Sequence, residues 1–333
     1  MNIMVTGTNG FVGSKLMFDL EAQRHNIIGI DISERCDDIA HPKTLIGDIR
    51  KIDDLNRVHD AFVESNRAGI EMIIHCAAAK HDFGVSHKEY YSHNKIGTKV
   101  LLDFAGQHKI NKIVYFSTVG VYGHPTECTD ENGIYNPDHP YGASKLAGEL
   151  LCLEWQKESA DHWLLVLRPT VIYGAYNYAN MYKMMDMMHR KPWITIGDGN
   201  YIKSIVSRAN VIDMTIFAMG KMKPGLLDYN CVDKPYITVR RLMEIIAANP
   251  AFKIPRIQVP VSFAVFIGRL FDIPARLFKI DLPVNSDRMK KFATATHFAS
   301  EKIRDNGYVQ KHSIEDEILK MTSWYLELKK KSR

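Results

Sequence analysis

The chain has 333 residues, of which 46% are hydrophobic and 24% charged, and its formal net charge is +5. This length is enough for one large domain and a smaller one. The mild positive charge does not indicate a nucleic-acid-binding protein. The 5 cysteines form no C-x-x-C pair, which argues against a disulfide framework and a structural zinc site and indicates a reducing compartment. No metal site is expected.

No targeting or membrane-spanning segment is predicted. The first residues read as a strand and lack a basic stretch followed by an apolar core, so no signal peptide is expected. No uninterrupted apolar run reaches the ~20 residues of a membrane span. The most apolar stretch, residues 261–278, is interrupted by Arg269, Asp272 and Pro274. Whether it contacts a substrate, a partner or a membrane stays open. We expect a cytoplasmic protein without an integral membrane segment.

Strand-like runs alternate with helical stretches through the first half of the chain. The strand candidates are NIMVTG, NIIGID, KTLIGD, EMIIHCA, KIVYFST and WLLVLRP, in this order. Helical stretches are predicted from about residue 11, over residues 55–66, over residues 89–108 and after Tyr141. This β-α-β alternation predicts an α/β fold with a doubly wound parallel sheet and helices on both faces.

The alternation weakens after Arg168, where Met, Pro and aromatic residues become more frequent. We therefore predict a first domain over residues 1–168, with one return of the chain to the sheet near residues 205–233. Residues 169–204 and 234–333 are assigned to a smaller, mixed second domain.

The first turn follows a strand, opens a helix and reads GTNGFVG from Gly7 to Gly13. Glycines there permit a tight turn and let the backbone approach a pyrophosphate, which then lies on the helix N-terminus. Asp31 ends the second predicted strand, where a carboxylate accepts from the ribose hydroxyls and repels a 2′-phosphate. The pattern predicts NAD rather than NADP, although Arg35 keeps NADP open. The residues assigned to this contact are Gly7, Asn9, Gly10, Phe11, Val12, Gly13 and Asp31.

Asp48 and Ile49 follow the third predicted strand and are also assigned to the cofactor. A carboxylate just past a strand end reaches the adenine amino group. The other interpretation of Asp48 is an N-cap for the next helix. Both roles are compatible in the sequence.

The chain resembles the extended short-chain dehydrogenase/reductase family, in its nucleotide-sugar epimerase/dehydratase branch. The matching motifs are the glycine turn, Asp31, Asp48, HCAA at 75–78, Asn94 with Gly97 and Thr98, Ser117 and Thr118 before VYG, Tyr141 with Lys145, and Arg168 with YG at 173–174. The resemblance implies an NAD-dependent enzyme with a Rossmann first domain and a substrate-binding second domain. It also implies that Ala77, Ala78, Lys80 and Arg168 contact the cofactor, whereas Asn94 ties a helix to the active-site strand.

Tyr141 and Lys145 lie four residues apart in HPYGASK, so both side chains share one face of a helix. In the family this tyrosine is the general acid/base, and the lysine holds the nicotinamide ribose and lowers the tyrosine pKa. A free phenol has a pKa of about 10, and a fixed ammonium favours the phenolate. Both residues are therefore assigned to catalysis and to the cofactor. Thr118 matches the position whose hydroxyl bonds the reacting oxygen; bonding to local backbone is its alternative role.

The residues after Thr118 narrow the reaction. The family's 4,6-dehydratases usually carry acidic residues there, and its decarboxylating branch carries a glutamate before Val-Tyr-Gly, whereas this chain has Val119 and Gly120. We therefore expect a 4-epimerase acting on a nucleotide-linked sugar. A 4-keto-sugar reductase remains an alternative. A 3β-hydroxysteroid dehydrogenase-like enzyme is another, because residues 261–278 could cover an apolar substrate.

The substrate half departs from the family pattern. Val171 stands where an asparagine is common, and Lys203 with Ser204 stands where an Arg-Asp pair is common. The resemblance assigns Asn180 and Arg288 to the substrate diphosphate and Thr118 to the sugar, and Lys203 could still pair with the diphosphate as a point charge. A helix-surface charge is the other interpretation of Arg288. The sugar and the base are not specified by the sequence.

The resemblance also implies a homodimer built as a four-helix bundle. The two helices expected to form it are the one over residues 89–108 and the one carrying Tyr141. An apolar stripe on the second helix, formed by Leu146, Leu150, Leu153 and Trp155, is the predicted contact surface. Packing of this stripe on the sheet is the other interpretation.

Overall fold

The computed structural model describes residues 1–34, 39–79, 86–190, 194–255, 257–263, 265–266 and 295–331. Arg35, Lys80, Arg288 and most of residues 261–278 lie outside these ranges, so the predictions that concern them stay predictions.

Eleven strands lie in the described part of the chain. They are β1 (Asn2–Thr6), β2 (Asn26–Asp31), β3 (Thr44–Ile46), β4 (Met72–His75), β5 (Lys112–Phe116), β6 (Trp163–Pro169), β7 (Val171–Tyr173), β8 (Ile194–Ile196), β9 (Ile205–Ser207), β10 (Gly225–Cys231) and β11 (Ile257–Val259). Seven of them form one parallel sheet in the order β10-β6-β5-β4-β1-β2-β3. The predicted doubly wound parallel sheet is confirmed.

The α-helices of the same residues are α1 (Phe11–Ala22), α2 (Ile52–Asn66), α3 (His87–Tyr91), α4 (Gly97–Gln107), α5 (Pro140–Glu158), α6 (Asn180–His189), α7 (Arg208–Met219), α8 (Val239–Ala247), α9 (Glu301–Asp305) and α10 (Ile314–Lys331). A π-helical segment, Ser92–Ile96, joins α3 to α4. The helix predicted over residues 89–108 is present, since the backbone is helical from residue 87 to residue 107, and the π segment is one wider turn within it.

Two hydrophobic clusters cover the two faces of the sheet. Ile3 and Val5 point into a cluster with α1 and α7, while Met4 between them points into a cluster with α2, α4 and α5. This alternation follows from the pleat of β1, whose successive side chains point to opposite faces. Both faces are buried, which explains why the strands read as nearly continuous apolar runs.

The strand β10 joins the sheet late in the chain, after β7, β8, β9, α6 and α7 have followed β6. It pairs with β6 over seven residue pairs, from Gly225 opposite Trp163 to Cys231 opposite Pro169. A third cluster lies outside the sheet, where α6, α8 and α10 pack around Met185, Ile246 and Tyr325. The boundaries of the two predicted domains stay a prediction.

Candidate active site

The predicted cofactor residues meet at the carboxyl edge of the sheet. Gly7 follows β1, Asp31 ends β2, Asp48 follows β3, Ala77 follows β4, and Thr118 follows β5. The chain builds the sheet outward from β1 in two directions. β2 and β3 lie on one side of β1, and β4, β5, β6 and β10 lie on the other, so the order of the strands reverses between β1 and β4. In doubly wound sheets a dinucleotide binds at such a reversal.

The glycine turn has the geometry of a pyrophosphate cradle. Gly7 has φ of +74°, and a Cβ on it would lie 2.6 Å from the Ala77 nitrogen. A Cβ on Gly13 would lie 2.2 Å from the Gly7 oxygen. No side chain caps the N-terminus of α1 at Gly10, so the first amides of the helix are available to an anion. These residues fit a dinucleotide.

Arg208, the first residue of α7, adds positive charge beside this turn. Its guanidinium carbon lies 4.8 Å from the centroid of the Phe11 ring, and its Nη1 donates to the Phe11 oxygen at 3.4 Å. Sequence reasoning missed this residue because it lies nearly two hundred positions from the turn. Only the packing of α7 against α1 brings the two together.

The Asp31 carboxylate is nearly buried, and its protein partners leave one acceptor direction open. Its Oδ2 accepts from the Asn9 backbone at 2.8 Å, and its Oδ1 accepts from the Ser33 nitrogen at 3.0 Å and hydroxyl at 2.9 Å. A carboxylate has about four acceptor positions, so one remains on Oδ2. Asp31 therefore fits a ribose hydroxyl, as predicted for an NAD site.

Asp48 forms a tight pair with Arg50. The Arg50 Nη2 donates to Asp48 Oδ2 at 2.6 Å, and its backbone nitrogen donates to Oδ1 at 2.9 Å. Burial raises the pKa of Asp48, but the hydrogen bonds from Arg50 outweigh it and hold the pKa below its usual range. The N-cap interpretation is wrong, because α2 begins after Lys51 and has no side-chain cap. The adenine contact stays a prediction.

The side chain of Arg168 is fully used within the protein, contrary to its predicted contact with the cofactor. Its Nη2 donates to Glu149 at 2.7 Å and to the Tyr135 hydroxyl at 2.8 Å, and its Nη1 donates to Asp228 at 2.8 Å and to the Tyr122 hydroxyl at 3.0 Å. The Nε donates to Glu149 as well, at 3.1 Å. A guanidinium has five N–H donors, so none remains for a ligand. Arg168 instead joins β6, β10 and α5.

The helix α5 begins where the sequence predicts. His139 is extended, with φ of −145°, and its ring Nδ1 accepts from the Gly142 nitrogen at 2.9 Å. Pro140 occupies the first helical position, which its fixed φ suits. The ring of Tyr141 follows, half-buried between the rings of His139 at 6.1 Å and Tyr90 at 6.2 Å. Sequence reasoning did not find His139 as the cap, because histidine is not a usual capping residue.

The Thr118 hydroxyl accepts a hydrogen bond from the local backbone, which was its alternative role, and its own proton can still be donated. Its hydroxyl accepts from the Gly120 nitrogen at 3.1 Å and caps the 3₁₀ turn Val119–Tyr122. A hydroxyl also has one donor, so this bond does not exclude a contact with a substrate oxygen. The turn lies directly on α5, since a Cβ on Gly142 would be 2.4 Å from the Gly120 oxygen.

Lys145 presents a buried ammonium to the site. Its side chain is 1% exposed, and no hydrogen-bond acceptor among the described residues contacts its Nζ. Burial lowers the pKa of Lys145 to about 8. An ammonium with unused donors one helical turn from Tyr141 fits a partner that supplies hydroxyl oxygens, as a nicotinamide ribose does.

Two polar side chains, Asn94 and Ser144, hold the surroundings of Tyr141. The Asn94 amide exchanges hydrogen bonds with both backbone groups of Ala79, at 2.8 and 3.1 Å, and donates to the Ser144 hydroxyl at 2.9 Å. Ser144 in turn donates to the Tyr141 carbonyl at 2.8 Å. Asn94 thus ties the π-helical segment to the residues that follow β4, as expected.

The neutral side chain of His75, the last residue of β4, holds the segment that follows this strand. Its Nδ1 lies 2.7 Å from the Thr6 hydroxyl and its Nε2 lies 3.0 Å from that of Thr98. The Thr98 hydroxyl donates to the Asn94 oxygen at 2.8 Å, so Nε2 carries the imidazole proton. Burial, and then the charge of Lys145, lowers the pKa of His75 well below its usual range.

The predicted substrate residues lie in the second half of the chain. Asn180 is exposed at the start of α6. Lys203 is partly buried, its backbone nitrogen donates to the Ile237 oxygen at 3.0 Å, and burial lowers its pKa. Their predicted contact with a diphosphate stays a prediction.

The fold and the cradle define an NAD-dependent enzyme of the extended short-chain dehydrogenase/reductase type. The chain belongs to the NAD dependent epimerase/dehydratase family, whose model matches residues 3–231. Within the described residues, no helix is long and apolar enough to cross a bilayer.

Three comparisons are informative. The chain is 29% identical over 315 residues to an N-acetyl-alpha-D-glucosaminyl-diphospho-ditrans,octacis-undecaprenol 4-epimerase of Escherichia coli O157:H7, which covers 94% of this chain and 92% of the relative. It is 28% identical over 238 residues to an uncharacterized UDP-glucose epimerase of Bacillus subtilis, covering 66% of this chain and 73% of the relative. The fold is similar to that of a UDP-glucose 4-epimerase of Thermotoga maritima, with a TM-score of 0.75 at 20% identity over 98% and 99% of the two chains.

Proposed function

We propose that this protein is a 4-epimerase of a sugar carried on a diphosphate, with Tyr141 as its general acid/base. The observation that carries the proposal is that the first turn of α5, with Tyr141, packs directly on the turn that follows Thr118. Tyr141 and Lys145 occupy one helical face, and the close approach of Gly142 to Gly120 brings the Thr118 turn onto the same helix.

Tyr141 removes the proton from the C4 hydroxyl and later returns it. The charged Lys145 one turn away favours the phenolate of Tyr141 and so moves the proton transfer toward neutral pH. Thr118 donates its remaining hydroxyl proton to the reacting oxygen and orients it. Bound NAD supplies the chemistry of accepting the hydride from C4 and returning it to the opposite face of the keto sugar.

The residues after Thr118 support epimerisation over dehydration. Val119 is buried in a small cluster with Tyr122 and Phe298. A Cβ on Gly120 would lie 3.3 Å from the His139 ring, so this position offers little room for a longer side chain. Neither residue supplies a group that could remove a proton from C5 or deliver one to C6.

The carrier of the sugar is either a nucleotide or a polyprenol. The nucleotide fits the family, while specific observations favour the polyprenol. The relative that spans 94% of the chain bears the name of an undecaprenol-linked epimerase. The chain has Val171 and Lys203 where the family pattern for nucleotide sugars has Asn and Arg. Phe263 and Phe266 are 55% and 56% exposed, and such aromatic surface is what a lipid carrier or its bilayer would cover.

A substrate deuterated at C4 tests the reaction. An epimerase retains the label in its product without added cofactor, because the hydride never leaves the site. If turnover requires added reduced cofactor, or if the label passes to free cofactor, the protein is a reductase and the proposal is wrong.

A panel of substrates tests the carrier. The same amino sugar would be offered on UDP, GDP, CDP and dTDP, and on a short polyprenyl diphosphate in detergent. Turnover of the polyprenyl compound alone supports the lipid carrier, and turnover of one nucleotide sugar alone supports the nucleotide. If sterols raise the unfolding temperature and none of the sugar compounds does, both the nucleotide and the polyprenol carrier are excluded.

A further inference from the structure

The buried ammonium of Lys145 lies on the face of an aromatic ring. Its Nζ is 4.2 Å from the centroid of the Tyr115 ring, within the range of a cation–π contact. Tyr115 is fully buried on β5 and Lys145 is 1% exposed. A cation–π contact strengthens when water is excluded, so this pair has the environment in which the ring matters most.

The ring of Tyr115 is held in place from three sides. Its hydroxyl donates to the Lys145 carbonyl at 3.1 Å. A Cβ on Gly148 would lie 2.4 Å from the Tyr115 oxygen, so only glycine at that position of α5 admits the hydroxyl. The His75 ring, itself fixed by Thr6 and Thr98, lies 5.6 Å from the Tyr115 ring. The platform under the ammonium is therefore rigid.

Other groups near Lys145 do not replace the ring. The titratable groups that act on its charge are Cys152 and Glu149 on α5 and Cys76 and His75 at the end of β4, with Tyr141 one turn away. Burial raises the pKa of the Cys76 thiol to about 12 and that of Cys152 further, so both thiols are neutral. His75 is neutral, and Glu149 is already paired with Arg168 at 2.7 Å.

We propose that Tyr115 is a positioning residue whose aromatic face keeps Lys145 charged and in place, and that it thereby sets the pH range in which Tyr141 works. The part that concerns Tyr141 rests on the proposed function. The part that concerns Lys145 does not, because it depends only on the contact in the protein itself.

The consequence has a definite sign. If the electron density of the ring face is reduced, the ammonium is less stabilised and Lys145 loses its proton at lower pH. With less positive charge beside it, the phenolate of Tyr141 is less favoured, so the acid limb of the activity profile moves to higher pH.

Fluorinated phenylalanines at position 115 test the proposal, because they weaken the ring face stepwise while keeping the shape of the ring. The series begins with Tyr115→Phe, which lacks the hydroxyl, and continues to the mono-, di- and trifluoro residues. The matched control is the same series at Phe104, a buried residue of the same hydrophobic cluster. The first readout is the pH at which Lys145 titrates in the apo-protein, measured from the free energy of unfolding between pH 7 and 11.

We expect this titration to move downward by roughly one pH unit across the series at position 115 and not at all across the series at Phe104. The acid limb of epimerase activity should move upward in parallel. If the Lys145 titration does not follow fluorination among the variants that fold, the proposal fails. If the titration moves and no activity is found on any substrate, the ring contact stands and the proposed function falls.

Discussion

At the scale of the residue, Lys145 gives the folded apo-protein a measurable pH dependence. Its pKa is lowered to about 8 by burial, whereas an unfolded chain has a lysine pKa of about 10.4. Below pH 8 the charged lysine therefore destabilises the fold by about 3 kcal/mol. Between these two values the unfolded state binds more protons than the folded state, so stability rises with pH. Above the upper value the penalty is absent.

Lys145→Met tests this penalty. We expect the apo-variant to be more stable than the parent at pH 7, with a difference that shrinks as the pH rises above 8. Urea unfolding of both proteins at pH 7, 8.5 and 10 measures it. NAD affinity should fall in the variant, since a ribose contact is lost. A variant that is less stable than the parent at every pH would contradict the electrostatic account.

Tyr141→Phe removes only a hydroxyl. General acid/base groups contribute roughly 10²–10⁴-fold to a rate, so epimerase turnover should fall by at least 10²-fold while NAD affinity stays within about twofold. Steady-state turnover and cofactor titration measure the two effects. Tyr178→Phe is the matched control, because that ring is 54% exposed and has no assigned role. Full activity of Tyr141→Phe would remove the catalytic role.

Thr118→Val removes both roles of that hydroxyl. The change loses the donor to the substrate and also the bond from the Gly120 nitrogen. A hydrogen bond to a charged partner is worth about 1.5–3 kcal/mol, so kcat should fall roughly 10–100-fold, less than for Tyr141→Phe. Thr118→Ser keeps both bonds and should remain close to the parent. A loss in Thr118→Ser with none in Thr118→Val would indicate that the methyl group, and not the hydroxyl, matters.

The sequence predicts those residues whose partners lie close along the chain. Helical spacing predicts only that Tyr141 and Lys145 share a face, and their assigned roles come from the resemblance to the family; Asp31 is assigned from its place at the end of a strand. The role of Arg168 is not predicted, because its five donors go to residues up to 60 positions away, and only the assembled sheet brings those residues to it. Tyr115 reads as an ordinary strand residue until its contact with Lys145 is seen.

At the scale of the element, α5 packs closely through positions without side chains. A Cβ on Gly148 would lie 2.4 Å from the Asn94 oxygen and also 2.4 Å from the Tyr115 hydroxyl. Alanine normally stabilises a helix interior relative to glycine by roughly 0.5–1 kcal/mol. Here Gly148→Ala should instead destabilise the protein by about 1–3 kcal/mol, as overpacking does, and should displace α5.

Gly106→Ala in α4 is the control, because a Cβ there meets nothing within 4 Å. It should be neutral or stabilising by up to about 1 kcal/mol. Thermal unfolding of the two variants gives the comparison. If both alanines stabilise the protein, the contact of α5 with the Asn94 and Tyr115 groups is looser than described.

The helical region before β5 contains a π-helical turn that its sequence pattern does not predict. The sequence predicts one helix there, and the structure adds a π-helical turn within it, Ser92–Ile96, between α3 and α4. The wider turn places Asn94 where its amide reaches both Ala79 and Ser144. Those partners belong to other elements, and π-helical turns of this kind are common at functional sites.

At the scale of the whole molecule, the homodimer stays a prediction, and the structure corrects the surface assigned to it. Of the four stripe residues on α5, Leu146 and Leu153 pack against hydrophobic clusters and Trp155 is 5% exposed. Leu150 is 43% exposed, and Ile96 beside α4 is 54% exposed. Among the described residues, these two exposed apolar side chains lie on neighbouring helices and are available for a bundle.

We expect the protein to be a dimer at micromolar concentration and Ile96→Glu with Leu150→Glu to make it a monomer, since both changes would bury charge in the contact. Light scattering measures the mass. The control is Leu226→Glu, which changes an equally exposed residue (47%) on β10 and should leave the dimer intact. A monomeric parent, or a dimer that survives the double change, would exclude this surface.

The seven-stranded sheet was predictable because both of its faces are buried and each strand is a short apolar run. The packing of α6, α8 and α10 was not. Its cluster combines side chains from Met181 to Tyr325, with no periodic pattern that tells one helix which other helix it meets.

The late arrival of β10 bears on how the chain is made at the ribosome. Until residue 231 has emerged, β6 is an edge strand, with none of the seven pairings that β10 later gives it. Arg168 then faces Glu149 without Asp228, its second carboxylate. An open edge strand is a template for association with other chains. A nascent chain halted after β9 therefore exposes the unpaired backbone groups of β6, and one donor of Arg168 lacks its acceptor until about two dozen further codons have been translated.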